Sequence, residues 1–340
     1  PDSAIENGAE YMAATLYTST ISGGNKTISG GAFQPDFVWV KDRSAASSNQ
    51  LFDSVRGATK TIYSNLTNAE VTDAIGLISF NSDGFTLGTN GGINYQIASR
   101  SYVGWQWKAG GAAVTNTAGS ITSQVSASPT AGFSVVTYTG TGSAATVGHG
   151  LGVAPAMIIF KRRNATSDWA VYHKNLTSAA YGLYLDLTLA QTSQPADFNS
   201  TAPTSAVMSI GTSTNTGSAN TFVAYCFSEV PGYSKFGSYT GNGSADGPFV
   251  YLGFRPKFVM VKRTDAVSSW TVMDTSRSPS NATNVWLAPD QSAAEPSTSE
   301  FFDLLSNGFK LKYAGANNTN GGTYIFMAFA ENPFKNSLAR

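Results

Sequence analysis

Two short constellations in this chain set a lysine, an aspartate and an arginine at the same distances from one another. They are Lys41, Asp53 and Arg56, and Lys262, Asp274 and Arg277, with the Asp 12 and the Arg 15 residues after the Lys in both. The same offsets from Lys161 land on His173 and Leu176, so the set is lost there. A carboxylate beside a base could serve hydrolysis, as in glycoside hydrolases, which flank the scissile bond with two acids. The same residues could instead form an ion pair across a hairpin and orient its loop. Duplication favours that second reading, because structural sets are copied with a fold more often than catalytic ones. Either histidine could be a base or a metal ligand, but His149 falls in the turn Val147–Leu151 and His173 at a strand end, where plain structural roles suffice. No pair of histidines at i, i+4 and no cysteine-rich spacing suggests zinc. No glycine-rich loop leads into a helix with Lys-Ser or Lys-Thr, so a phosphate cradle is unsupported. Cys226, in the apolar run Phe222–Phe227, reads as a small buried hydrophobe with no basic neighbour to activate it. The expectation is a non-enzymatic protein: catalytic residues none, metal ligands none, cofactors none, receptor-binding residues unknown.

Composition narrows the partners. Of 340 residues, 41% are hydrophobic, enough for packed cores, while only 12% are charged, and these cancel. That is about half the usual charged share, so the surface must be polar through Ser, Thr, Asn and Gly. A nucleic-acid binder needs clustered Lys and Arg to displace counterions, and docking on anionic lipid needs the same; neither pattern is present. No apolar stretch approaches the roughly 18–20 residues that span a bilayer, and no signal-peptide core opens the chain. A single cysteine allows no internal disulfide. The chain starts at Pro1, as a processed protein or a piece of a longer polypeptide would. Asn-x-Ser/Thr sites at Asn25, Asn65, Asn164, Asn175, Asn199, Asn242, Asn281 and Asn317 are what chance supplies in a chain this rich in Asn, Ser and Thr.

The elements that must position these residues recur three times. Phe33–Lys41, Val153–Lys161 and Phe254–Lys262 share one template: apolar, any, Pro, any, four apolar residues, Lys. Each Pro follows a Tyr-Thr pair at 18, 17 and 17 residues, and precedes the runs Tyr102–Trp107, Phe222–Phe227 and Tyr324–Phe329 by 67, 67 and 68. Three anchors held in register three times indicate tandem repeats over about 11–107, 133–229 and 234–333. The division expected is 1–107, a Gly/Ala/Ser/Thr-rich flexible or extended linker over 108–132, then 133–232 and 233–340. Pro231-Gly232 makes the second junction tight, so the second and third repeats are expected to pack together.

Each template reads as a strand. Pro suits a strand's first position, and the run after it is apolar on both alternating faces, the mark of a strand covered on both sides. The closing Lys is expected to lay its stem on the core and its ammonium in solvent. A second strand comes next, around Trp169 and Trp270. Ser82-Asp83-Gly84 and Ser306-Asn307-Gly308 signal hairpins in which Asp-Gly and Asn-Gly supply positive φ. Short helical turns are possible near Asn68–Ile75 and Thr298–Leu305. The fold class predicted is all-β: three tandem β-sandwich-like repeats of about ninety residues. Most aromatic residues fall on these strands, which assigns them to the core rather than to glycan stacking.

These anchors also carry a resemblance. Phe33–Arg43, Leu51–Gly57, Val147–Pro155 and Gly232–Gly243 look like a repeated module of poorly characterised, tail-fibre-like virion proteins of bacteriophages, many of them marine. The resemblance covers nearly the whole chain. It implies a structural protein on the virion surface, in a tail fibre or other appendage or on the capsid, with other virion proteins as partners and a homo-oligomer, trimer favoured. A receptor-binding role in host attachment would add a host surface glycan or outer-membrane protein, through loops such as Arg43–Asn49, Asn164–Asp168 and Thr264–Ser269. The alternatives are a capsid or tail decoration and, less favoured, a glycan-degrading tailspike. The family offers no catalytic residue to carry over.

Overall fold

The computed structural model describes residues 5–21 and 23–331. The first part of the chain holds β1 (Met12–Thr18), β2 (Lys26–Ile28), β3 (Phe37–Asp42), β4 (Gln50–Asp53), β5 (Lys60–Tyr63), β6 (Val71–Thr72), β7 (Leu77–Asn81), β8 (Gly84–Leu87) and β9 (Ser101–Trp107). The middle holds β10 (Val114–Asn116), β11 (Ser123–Ser128), β12 (Phe133–Thr139), β13 (Ala145–Gly148), β14 (Met157–Arg162), β15 (Ala170–His173), β16 (Tyr181–Tyr184), β17 (Thr192–Ser193), a one-turn helix α1 (Pro195–Phe198), β18 (Val207–Ile210) and β19 (Thr221–Phe227). The last holds β20 (Ser234–Thr240), β21 (Phe249–Tyr251), β22 (Pro256–Arg263), β23 (Thr271–Asp274), β24 (Thr283–Val285), β25 (Ser297–Leu305), β26 (Gly308–Leu311) and β27 (Thr323–Ala330). The fold is all-β.

Three large antiparallel sheets share one strand order: β1-β9-β3-β4, β12-β19-β14-β15 and β20-β27-β22-β23. The first continues through β5 and β6, and the middle one through β16 and β17. Each large sheet carries a smaller one on its outer face: β2-β8-β7, β13-β18 and β21-β26-β25-β24. Each Pro-led template thus becomes an inner strand between the last strand of its part and the short strand that comes after it. Register matches as well: Phe37 pairs with Trp107, Met157 with Phe227 and Phe258 with Phe329.

The double-sided apolar pattern has two partners. Val38, Val40 and Phe52 turn outward onto Ile28, Leu77, Phe85 and Leu87 of the small sheet. Ile158, Phe160 and Cys226 meet Val147, Met208 and Ile210 in the same way. The opposite faces of all three large sheets pack against one another in a common centre that holds Phe37, Trp39, Trp107, Met157, Ile159, Phe227, Phe258, Met260 and Phe329. There Trp107, Phe227 and Phe329, one from each last strand, form a near-equilateral triangle with ring centroids 6.3, 5.9 and 6.0 Å apart. Equal distances among three matching positions place an approximate threefold axis through the middle of the chain.

Four expectations need correction. Residues 108–132 are no free linker: β10 and β11 extend the middle large sheet beyond β12, and the buried Asp36 carboxylate accepts the N–H groups of Ala109 and Gly111. Small polar residues there suit an edge strand as well as a coil, because backbone pairing needs no large side chain. The lysines Lys41, Lys161 and Lys262 are fully buried, ammonium included, since another part of the chain lies where solvent was expected. Ser297–Leu305 is a strand, paired on both sides by β24 and β26, and Asn68–Ile75 contains the short β6 rather than a helical turn. The hairpins close through Ser82-Asp83 and Ser306-Asn307, with Gly84 and Gly308 already paired in the strands. Glycine is needed there because a Cβ on Gly84 would strike the Ile28 carbonyl, and one on Gly308 the Val250 carbonyl. Among the described residues, no helix is long and apolar enough to cross a membrane.

Candidate functional site

The repeated Asp–Arg pairs form, and each is sealed by a neighbouring sheet. Asp53 ends β4; its carboxylate accepts the Arg56 backbone N–H at 2.8 Å and Nε at 2.5 Å. The Tyr225 hydroxyl of β19, from the middle part, donates to the same carboxylate at 2.8 Å. The Arg56 guanidinium also donates to Leu51 O, Lys60 O and Glu70, each at 3.1 Å. In the last part, Asp274 accepts Arg277 N–H at 2.9 Å and Nε at 2.5 Å. There the third donor is the Trp105 indole of β9, at 3.0 Å. Arg277 reaches Val272 O and Glu295, both at 2.9 Å.

Electrostatics tracks burial and pairing. Burial works against the Arg56 charge, but Asp53, Tyr225 and Glu70 outweigh it and raise its pKa. Burial alone would raise Asp274; Arg277 overrides it and holds the carboxyl below its usual range. A buried ion pair of this kind is tolerated because the two charges face each other and are hydrogen-bonded to further groups.

The middle part replaces charge with neutral groups. His173 stands at the aspartate position, with Nδ1 accepting the Asn175 N–H at 3.1 Å. Nε2 therefore carries the proton and donates to Phe326 O of the last part at 3.2 Å. Burial pushes its pKa down to about 3. His149 is arranged alike, between Leu151 N–H and Thr204 O, and burial lowers it too. Both rings are neutral structural groups. Cys226 is buried beside Met208 Sδ at 3.8 Å, and burial pushes its thiol up to about 12.

The lysines do not join the aspartates. Asp53 lies opposite Phe37, and Lys41 is four residues further along, about 13 Å at strand rise. Each ammonium instead bonds its own loop and the loop of another part: Lys41 to Ser47 O and Ser292 O, Lys161 to Ser167 O and Thr67 O, Lys262 to Ser268 O and Thr188 O, at 2.5 to 3.1 Å. Burial lowers all three pKa values to about 8. Trp169 and Trp270 donate to Tyr63 O and Tyr184 O, both at 2.9 Å. At the matching position Asn49 reaches Ala288 O and Gln291 O. The contacts rotate: first part to last, middle to first, last to middle.

Two glutamates complete this ring, and sequence reasoning missed both. Glu70 joins Arg56 to Arg163 of the middle part, and Glu295 joins Arg277 to Arg43 of the first. At the third junction the matching residues are Gln191 and Thr264, bonded through their backbones alone. Also missed were Asp186 and Asp290, which accept the Trp169 and Trp270 N–H groups. Burial pushes both carboxyls up to about 6, and one oxygen of each has no partner. Lys-x-Arg recurs at Lys41 and Lys161 and could have flagged the arginines; nothing in the sequence pairs them with glutamates on another part. Of the three loops singled out as contact candidates, Asn49 and Ser167 are buried at these junctions, while Ser44, Ala46, Asn164, Thr166, Asp265 and Val267 are exposed.

The site is therefore a ring of junctions that holds three sheets together. A model for a domain of unknown function, DUF7483, matches residues 7–333. The chain belongs to the DUF7483 family. No curated protein matches it. The match spans all three large sheets. Among the described residues no group of three His, Cys, Asp or Glu could hold a metal ion.

Proposed function

We propose that the chain is a rigid, non-enzymatic module of a bacteriophage virion, made of three copies of one β unit closed into a ring, and that it contacts the host surface from a tail fibre or similar appendage. One observation carries the reading. The loops Arg43–Asn49, Asn164–Asp168 and Thr264–Ser269 leave matching strands and are each tied by a buried lysine to another part of the ring. The approximate threefold arrangement puts their tips at the same end of the ring. Partly buried loop positions repeat (Ala45, Ala165, Ala266; Ser47, Ser167, Ser268), whereas the exposed tips differ: Ser44 and Ala46, Asn164 and Thr166, Asp265 and Val267. A shared frame under divergent tips suits recognition of an irregular target such as a host glycan or outer-membrane protein.

The test is adsorption. The purified chain is expected to bind intact host cells and to compete with phage. Arginines introduced together at Ala46, Thr166 and Val267 should abolish both effects without changing the unfolding midpoint. A protein that remains on assembled particles yet neither binds nor competes has a decoration role instead. Release of reducing ends from host polysaccharide would make it a tailspike enzyme.

A further inference from the structure

We propose that the free edge of β21 is a docking site for an extended, uncharged strand of a partner polypeptide. The chain contains its own precedent. On the small sheet of the middle part, Val147 of β13 pairs with the buried Met208, as Val250 of β21 pairs with the buried Phe309. Thr146 and Phe249 therefore occupy the same place, one residue before the inward valine. The edge beside Thr146 is covered by residues of the 108–132 segment. Ile121 N–H donates to Thr146 O at 3.1 Å, Thr146 N–H donates to Ser120 Oγ at 2.8 Å, Ser120 N–H donates to Thr146 Oγ1 at 2.9 Å, and Ile121 forms a parallel bridge with Val147.

Among the described residues no segment takes that place at β21, which is the edge strand of its sheet. Pro248 O and Leu252 N–H are turned inward, to Leu311 N–H and Asn307 O. By the alternation of an antiparallel strand, the N–H and C=O groups of Phe249 and Tyr251 turn to the open side. The Tyr251 carbonyl is met by Lys235 Nζ at 2.9 Å, with that ammonium 5.1 Å from the Tyr251 ring centroid. Phe249 is 44% and Tyr251 55% exposed. The matching outward residues elsewhere are small, Thr27 and Ser29 or Thr146 and Gly148, so the core-facing position is kept aliphatic while the outward pair has become aromatic only here. Two rings beside the outward N–H and C=O of Phe249 and the N–H of Tyr251 are the equipment of strand addition: main-chain hydrogen bonds hold the guest and side-chain contacts select it. A second copy of the chain is disfavoured as occupant, since pairing β21 with itself would bring together the Lys235 ammonium of each copy. The docking site is separate from the loop surface and does not depend on host attachment.

The experiment titrates the full-length, isotope-labelled chain with a capped peptide of the sequence Asn116–Ser123, monitored by amide shifts. Saturable shifts confined to β21 and its neighbours are expected. Methylating the peptide nitrogen that corresponds to Ile121 should weaken binding by about tenfold, the loss of one good backbone bond. Replacing Phe249→Thr with Tyr251→Ser should weaken it at least as much, with the unfolding midpoint unchanged. The proposal is overturned by any of four results: no saturable shift below about 10 mM peptide, shifts elsewhere, indifference to N-methylation, or indifference to the double substitution. It is equally overturned if an oligosaccharide shifts β21 while the peptide does not, or if sedimentation shows self-association that the double substitution abolishes.

Discussion

The buried carboxyls separate into two kinds by what they face. Asp53 and Asp274 each face an arginine and a third donor from another sheet. Replacing Asp53 by Ala strands the Arg56 guanidinium and is expected to cost about 3–5 kcal/mol in chemical denaturation. Asp186 is dominated by burial. Its folded pKa of about 6 lies above the unfolded value near 3.9, so its contribution is most favourable below about pH 4 and is lost as pH rises through 6. Asp186→Asn should therefore raise stability at pH 7 by about 1–3 kcal/mol and change little at pH 4. The amide has a precedent in the chain, where Asn65 Oδ1 accepts the Asn49 N–H at 3.0 Å. His173 opposes this trend: its folded pKa, about 3, lies below the unfolded value, so its stabilisation is complete above about pH 6.5 and is lost as pH falls towards 3. Unfolding midpoints measured across pH for wild type, Asp186→Asn and His173→Asn would separate the two contributions. Parallel curves for all three would show that neither group titrates as its burial requires.

At the scale of elements, the segment over 108–132 and the glycine-led hairpins show how small residues are used. Slow amide exchange is expected in β11, because both neighbours pair with it; exchange as fast as in an open coil would contradict the sheet extension. Gly84→Ala should push β2 away from β8, since the new methyl meets the Ile28 carbonyl. Faster exchange at Lys26–Ile28, with β3 and β9 unaffected, is the expected signature. A uniform loss of protection would mean that the small sheet does not open on its own.

For the whole molecule, the axis and its ring of junctions predict one body. Calorimetry should give a single unfolding transition, with van't Hoff and calorimetric enthalpies in agreement; three transitions would mean that the junctions are weak. The axis offers a sharper test. Trp107 meets Phe227 and Phe329, and its indole N–H is buried without a partner. Trp107→Phe copies the matching residues and removes that unmet donor, so its cost should stay within about 1.5 kcal/mol. Trp107→Ala opens a cavity shared by three sheets and should cost about 3–5 kcal/mol.

Periodicity, the Pro-led templates and their spacing determined the strands, their double-sided burial and the three matching series, because each of these is written in the order of neighbours along the chain. The pairing of Asp53 with Arg56 was legible for the same reason: three residues of separation place both at one turn. Tertiary structure alone decided what covers them. The Tyr225 hydroxyl on Asp53, the Trp105 indole on Asp274 and the Phe326 carbonyl on His173 come from positions more than 150 residues away. The burial of Lys41, Lys161 and Lys262 was likewise unreadable. An ammonium at a strand end is solvated in an isolated sandwich and buried only when another sheet closes over it, and that closure is a property of how three surfaces fit together.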